Sequence, residues 1–331
     1  MKKRWLRRQF MQPEERDCDM NGIINVLKPP GMTSHDVVDF IRRTFKINKV
    51  GHTGTLDPGA AGVLVVCLGR ATRAARFIAG DDKEYRAEIT FGTVTSTGDS
   101  FGEVIGECDA SYLTAESVKA SLPVFTGEIS QVPPMVSALK WHGKKLYELA
   151  RAGLTVERRA RAVTINKLDY IDGAGWGGPK PVALVHLTCS KGTYVRTLCE
   201  DIGDHLGCGA HMSFLVRTRA GVFEIADSCT LEDIKSFAAV GKAGNNASNI
   251  IIPVEEALLG LPPVRVKSAA VAAVSSGSKL FLPGVAELPD GLTEGVLVRL
   301  QGPEGLLAVA ETGYDPADPS RLVFKTVCVL V

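Results

Sequence analysis

The chain of 331 residues predicts a mixed α/β (α+β) fold, with a large first unit and a small β-rich unit at its C-terminal end. Three observations carry this. Strand-length apolar runs alternate with helical periodicities from residue 21 onward. Residues 84–91 alternate strictly between apolar and polar. After Leu261-Pro262-Pro263 the composition shifts to short β-rich stretches separated by Gly and Pro turns.

Residues 1–20 carry charge without periodicity and are expected to be a flexible arm. Residues 22–27 then read as a buried strand. Ser34 is expected to cap a helix whose Val37, Ile41 and Phe45 recur every four residues. In residues 84–91 the alternation puts Tyr85, Ala87, Ile89 and Phe91 on one face, as in a half-buried antiparallel strand. Residues 163–170 and 182–189 read as further strands, joined by the loop DGAGWGGPKP as a hairpin connection or an insertion. From Thr193 to Leu206, apolar residues at Val195, Leu198, Cys199, Ile202 and Leu206, followed by Gly207, predict an amphipathic helix with Arg196 and Glu200 off the stripe. The last 70 or so residues, with strands expected at 295–300 and 322–330, are enough for a compact β-barrel.

Lys and Arg number 38 against 37 Asp and Glu, so the net charge of +1 excludes a uniformly basic nucleic-acid binder and an acidic disordered tail. A composition 45% hydrophobic and 23% charged is that of an ordinary globular protein. The apolar runs fall far short of the roughly 20 residues a transmembrane helix needs, and the basic N-terminus has no apolar stretch behind it, so no membrane association and a cytoplasmic location are expected. Eight cysteines at 18, 67, 108, 189, 199, 208, 229 and 328, without a C-x-x-C pair, read as reduced, mostly buried thiols. Cys199, His205, Cys208 and His211 lack finger spacing, and no metal is expected there. Charge is nevertheless uneven. Residues 139–167 hold eight basic side chains against two acids, which is either a solvated face or a phosphate-binding patch.

The densest chemical signal is GHTGTLDPGAAG at residues 51–62, running into the apolar strand 63–68. Pro58 biases Asp57 away from helix, so its carboxylate sits at a constrained turn before a rigid strand. The loop has neither G-x-G-x-x-G nor Gly-Lys-Ser/Thr, which excludes a dinucleotide or nucleoside-triphosphate loop. With one acid and no second nearby in sequence, a paired-carboxylate hydrolase is a poor fit. From residue types alone, Asp57 is either a lone reactive carboxylate or the cap of a glycine-rich structural turn.

Five segments together resemble the TruB family of tRNA pseudouridine synthases: NGIINVLKPPGMTS (21–34), the Asp57 loop, Lys83-Glu84-Tyr85 with Thr97-Gly98-Asp99, QVPPMVSALKWHGKKLYELARAG (131–153) and SKGTYVRTLCEDIGDHLGCGAHMSFLVR (190–217). They span about residues 21–230 in the family's order. The resemblance implies a pseudouridine synthase core with a largely antiparallel central sheet and an RNA cleft (21–260), a thumb-like RNA-gripping insertion at about 127–161, and a PUA-like RNA-binding barrel (261–331). It implies isomerisation of uridine 55 in the tRNA T loop, after base flipping, with no metal or organic cofactor.

The site residues follow from the same resemblance. Asp57 matches the catalytic aspartate. Tyr85 matches the tyrosine that stacks on the flipped uracil, Arg196 the arginine paired with the aspartate, and Asp99 the acid that holds this arginine. His52 is expected to contact RNA, Tyr194 and Leu215 to line the uracil pocket, and Lys28 and Pro29 to buttress the catalytic loop. The basic segment becomes a phosphate-contacting surface, with Lys144, Lys145, Arg158 and Arg159 as its expected contacts. The implied partner is tRNA through its T arm; no obligate protein partner is implied, and a monomer is expected. Two alternatives are a synthase of this fold acting on another RNA, including guide-directed rRNA relatives, and a protein that clamps the T arm without chemistry.

Overall fold

A computed structural model of the chain describes residues 20–80, 82–137, 139–240, 250–315 and 318–331, so the expected arm, apart from Met20, and Cys18 lie outside the described residues. Strand β1 (Gly22–Lys28) is buried almost throughout because the sheet is covered on both sides. Ile24 and Val26 pack under helix α1 (Ser34–Phe45), whereas Ile23 packs into a cluster on the opposite face. A strand buried on both faces shows no alternation, which is why it reads as a plain apolar run.

Helix α1 starts one residue earlier than expected. Thr33 is its cap, accepting from the Asp36 amide at 3.0 Å while Asp36 accepts from the Thr33 amide. Ser34, the expected cap, is engaged elsewhere. Its hydroxyl donates to the Leu56 carbonyl at 3.0 Å and accepts from the Leu56 amide at 2.8 Å. The sequence offers two suitable caps side by side, and a partner 22 residues away decides between them.

Strands β2 (Val50–His52) and β3 (Ala61–Leu68) flank the Asp57 loop. After helix α2 (Ala75–Ile78) comes β4 (Lys83–Phe91), whose Tyr85, Ala87, Ile89 and Phe91 are buried on one face as the alternation predicts. The small hairpin β5 (Thr93–Thr95) and β6 (Val104–Glu107) follows, with Asp99 in its turn. Helix α3 (Ala115–Ser121), β7 (Gly127–Gln131), the two-residue strands β8 (Lys140–Trp141) and β9 (Lys144–Lys145), and helix α4 (Leu146–Arg151) lead to β10 (Arg161–Ala174). Strand β10 pairs with β11 (Val182–Cys189) as the expected hairpin, running past Tyr170 into the Gly-rich loop. Helix α5 (Val195–His205), β12 (Ala210–Ala220), β13 (Phe223–Glu224) and α6 (Leu231–Val240) complete this part.

Nine of these strands form one sheet in the order β1-β3-β12-β4-β11-β10-β7, with β2 on β3 and β13 on β12, while β5 with β6 and β8 with β9 pair separately. Every pairing is antiparallel except β12 with β3, where Val216 faces Ala61 and Arg217 faces Gly62. At that crossing Gly62, with φ of 108°, lies so close to the Arg217 backbone that a Cβ would overlap it. The first two residues of the strand leaving the Asp57 loop therefore meet β12 at Val216 and Arg217.

Helix α7 (Val254–Ala257) precedes the C-terminal unit, which contains β14 (Pro263–Val266), α8 (Ser268–Ser275), β15 (Leu280–Phe281), β16 (Val285–Glu287), β17 (Leu297–Gly302), β18 (Gly305–Asp315) and β19 (Asp318–Val329). Its six strands, ordered β15-β19-β18-β17-β14-β16, wrap into a nearly closed barrel around Val264, Val298, Leu300, Ala308 and Phe324. The barrel leans on the large unit through Val309 and through Arg76, which donates to the Val327 carbonyl at 2.6 Å. Among the described residues no helix is long and apolar enough to cross a membrane.

Candidate active site

The Asp57 loop is held from below before it can present anything. Lys28, at the end of β1, is fully buried, and its ammonium donates to the carbonyls of Pro29 (2.8 Å), Pro58 (3.2 Å) and Ala60 (2.8 Å). Burial lowers its pKa to about 8, against the pull of Asp57. Ser34 grips Leu56 as described, and the Gly31 amide donates to the Pro58 carbonyl at 2.8 Å. Arg217 clamps the other side, donating to the carbonyls of Val63 (2.6 Å), Thr55 (3.3 Å) and Gly54 (3.3 Å). A lysine at a strand end would ordinarily be solvated. Here three carbonyls converge on its ammonium, and only that of Pro58 also has the Gly31 amide.

Above this base Arg196 meets Asp57 with a forked contact, Nε to Oδ2 at 3.0 Å and Nη2 to Oδ1 at 3.3 Å. The guanidinium is only 4% exposed and also donates to the carbonyls of Thr97 (3.0 Å) and Val136 (2.8 Å), while Asp99 Oδ2 lies 3.7 Å from Nη1. Asp99 is fixed in turn by the Thr97 hydroxyl at 2.6 Å. Arg196 lies off the apolar stripe of α5 and is nonetheless buried, because the 96–99 turn and the Asp57 loop cover that face of the helix. The Asp57 side chain is one-third exposed. Burial raises its pKa above the ordinary carboxylate value, Arg196 pulls it down, and Asp99 pushes it up.

That exposed third opens on a cavity of about 370 Å³. Asp57, Tyr85, Tyr194, Arg196, Leu215 and Arg217 line it, so five expected site residues meet there. Tyr85 projects from β4 and Leu215 from β12. Burial raises the Tyr85 phenol, and Arg217 beside it acts in the opposite sense. Tyr194 caps α5 with its backbone, held by the buried Gln131 side chain, which accepts from the Tyr194 amide (3.0 Å) and donates to its carbonyl (3.3 Å).

The remaining expected residues sit off the wall. His52 is half-buried at the end of β2, just before the wall begins at Thr53, and burial lowers its pKa, which favours neutral imidazole. Lys28, Pro29 and Asp99 stand behind the wall. Lys144 and Arg159 are exposed away from it, Lys145 lies over the Tyr147 ring, and Arg158 donates to the Pro133 carbonyl at 3.0 Å. Val136, Ser137 and Leu139 of the same segment do reach the cavity. Cys199 and Cys208 are buried thiols, His211 bonds the Thr93 carbonyl and His205 packs on Phe125. Sequence reasoning missed Ser34, Gln131 and Arg217, which all lie inside the segments that carried the resemblance. Their partners are backbone groups far away in the chain, so no local pattern marks them.

Comparison with known proteins gives the same direction. Residues 42–195 match the family described as TruB family pseudouridylate synthase (N terminal domain), and residues 196–259 match the tRNA pseudouridylate synthase B C-terminal domain. A protein of Pelotomaculum thermopropionicum named tRNA pseudouridine synthase B is 64% identical over 311 residues, covering 94% of this chain and 97% of the other. One of the same name from Symbiobacterium thermophilum is 55% identical over 263 residues, 80% of this chain and 84% of its own. Among solved structures, a chain of a Cbf5-Nop10-Gar1 complex is 31% identical with a TM-score of 0.73, covering 94% of this chain and 85% of its own. A chain of an H/ACA RNP bound to a substrate RNA containing 2′-deoxyuridine is 29% identical with a TM-score of 0.71 and the same coverage.

Proposed function

The chain belongs to the TruB family of pseudouridine synthases and is an isomerase of tRNA uridine; on that premise we propose that it converts uridine 55 of the T loop, with Asp57 as the catalytic carboxylate. The observation that carries this reading is the forked Asp57–Arg196 pair, whose carboxylate is open to the cavity while its guanidinium is closed off.

In this account the target nucleotide leaves the T-loop stack and its uracil enters the cavity against Tyr85, with Tyr194 and Leu215 around it. Arg196 orients the carboxylate and favours its ionised form. Asp57 then acts at the ribose, by attack on C1′ or by removal of the C2′ proton, and both steps need a free carboxylate oxygen. The C1′–N1 bond breaks, the uracil turns, and C5 bonds to C1′. The C5 proton leaves to solvent and N1 gains one, so atoms balance without an outside oxidant or reductant, and no cofactor is called for. The 2.6 Å hold of Thr97 on Asp99 supports a positioning role for Asp99, and the three carbonyl contacts of Lys28 support the same for the Lys28-Pro29 turn. His52 contacts the RNA beside the cavity.

Residues 21–260 form the catalytic unit, residues 127–161 grip the T arm with Lys144, Lys145, Arg158 and Arg159 on phosphates, and residues 261–331 are a PUA-like RNA-binding barrel. The enzyme works as a cytoplasmic monomer without a guide RNA. The test uses purified chain and unmodified tRNA transcripts tritiated at uridine C5. Release of one tritium per tRNA, lost when position 55 is cytidine, is expected from full tRNA and from a bare T-arm hairpin. Release at another uridine, or a need for added guide RNA, overturns the T-loop assignment. Binding without release supports a non-catalytic clamp.

A further inference from the structure

Phe101 has the highest exposure, 76%, of the large apolar side chains among the described residues, and it belongs to none of the four core clusters. Exposed apolar residues are common singly. This one is distinguished by where it stands and how firmly it is held. Its ring rests on Gly59, two residues beyond Asp57, and a Cβ at Gly59 would lie inside the ring's van der Waals surface. Its amide donates to Asp99 Oδ1 at 3.1 Å, and the Gly102 amide donates to the Asp99 carbonyl at 3.2 Å. The preceding Ser100 hydroxyl donates to the Ser213 carbonyl at 3.0 Å, two residues from the cavity residue Leu215. Asp99 therefore uses one carboxylate oxygen to fix the turn that presents Phe101, while the other faces Arg196 at 3.7 Å. One side of the ring is seated on the catalytic loop and the rest faces solvent.

We propose that Phe101 is a stacking platform for an unpaired nucleobase of the RNA that flanks the flipped uridine, a second base subsite outside the cavity. The proposal rests on the reading of the cavity as the uridine pocket. The chemistry selects a base face over a phosphate. Residues 96–107 carry no Lys or Arg to hold a phosphate, the exposed Glu103 repels one, and the small uncharged Ser100 and Gly102 flank the ring. Every base presents a π-face, so such a platform holds a neighbour of the target without reading its identity. A ring anchored to both the Asp57 loop and the Asp99 turn loses little freedom on binding and sets the distance between the two bases.

The test uses T-arm hairpins carrying 2-aminopurine on either side of the target uridine. Wild-type protein should quench one of the two positions. Phe101→Ala and Phe101→Leu should lose that quenching and weaken hairpin binding about tenfold, with the loss in KM more than in kcat, whereas Phe101→Tyr should restore both. Ile105→Ala, an equally superficial apolar truncation on β6, should behave as wild type. Quenching that survives in Phe101→Ala, or a Phe101→Leu variant indistinguishable from wild type, overturns the platform, as does equal weakening by Ile105→Ala, which would indicate a generic apolar face. Tritium release by the same wild-type preparation reports on the uridine pocket independently, so an active enzyme with an indifferent Phe101 sinks this proposal alone.

Discussion

Arg196 and Asp57 are 139 positions apart in the chain, and they meet in a two-pronged ion pair in which the arginine is sealed while the aspartate still reaches an open cavity. The asymmetry matters for chemistry. A guanidinium almost closed to water and held by two carbonyls keeps its orientation, and the carboxylate it steers remains open to the cavity.

The pair sets a pH dependence. Burial raises the Asp57 pKa, so its ionised form, and with it activity, is lost as pH falls through a value above the ordinary carboxylate one. The acid limb of kcat/KM on a T-arm hairpin should therefore lie above the usual aspartate range. Arg196→Lys, which gives up the fork, should move it higher. An acid limb at or below the ordinary value in the wild type contradicts the assignment.

Glu200 gives a second pH signature, this time in stability. It is half-buried behind Arg196, and burial raises its pKa to about 7, with Arg196 opposing and Asp201, Asp204 and Asp99 adding to the rise. The folded state thus holds the proton more tightly than the unfolded chain, and stability falls as pH rises from the ordinary glutamate value of 4.5 through about 7. Glu200→Gln should gain on the wild type across that window in urea denaturation, and a difference that does not change with pH would show that the ionised carboxylate is tolerated.

Lys28 offers a test of the loop's foundation. Lys28→Met fills similar space but takes the ammonium from the carbonyls of Pro29 and Ala60 and leaves Pro58 with the Gly31 amide, a cost of about 1–3 kcal/mol for each buried acceptor left unpaired. Thermal or urea denaturation should register that loss, and tritium release should drop with it because Asp57 directly precedes the anchored Pro58. A variant with wild-type stability would mean that water replaces the ammonium.

How much of this was legible beforehand follows from the range of each interaction. The alternation in β4 and the apolar stripe of α5 are local, and both are present as read. The start of α1 was misplaced by one residue because Ser34 is drawn to Leu56, a tertiary partner. Periodicity put Arg196 off the buried stripe of its helix; only the resemblance paired it with Asp57, which the glycine-rich loop had already singled out. Arg217 and Gln131 hold the loop and Tyr194 through backbone groups at long range, and residue type alone gives no sign of that.

The basic segment makes a further prediction. Neutralising Lys144, Lys145, Arg158 and Arg159 together should weaken tRNA binding and flatten its dependence on salt, by roughly 0.7–0.9 in the log–log slope for each phosphate contact removed. Arg158, partly committed to the Pro133 carbonyl, should contribute least when changed alone. An unchanged slope would place the phosphate contacts elsewhere.

The most direct measurement is tritium release from 5-labelled uridine in tRNA by Asp57→Asn, alongside its tRNA affinity. The side chain keeps its size and loses its negative charge. Release should fall to background while binding stays within a few-fold of wild type; turnover at the wild-type rate would remove Asp57 from the reaction.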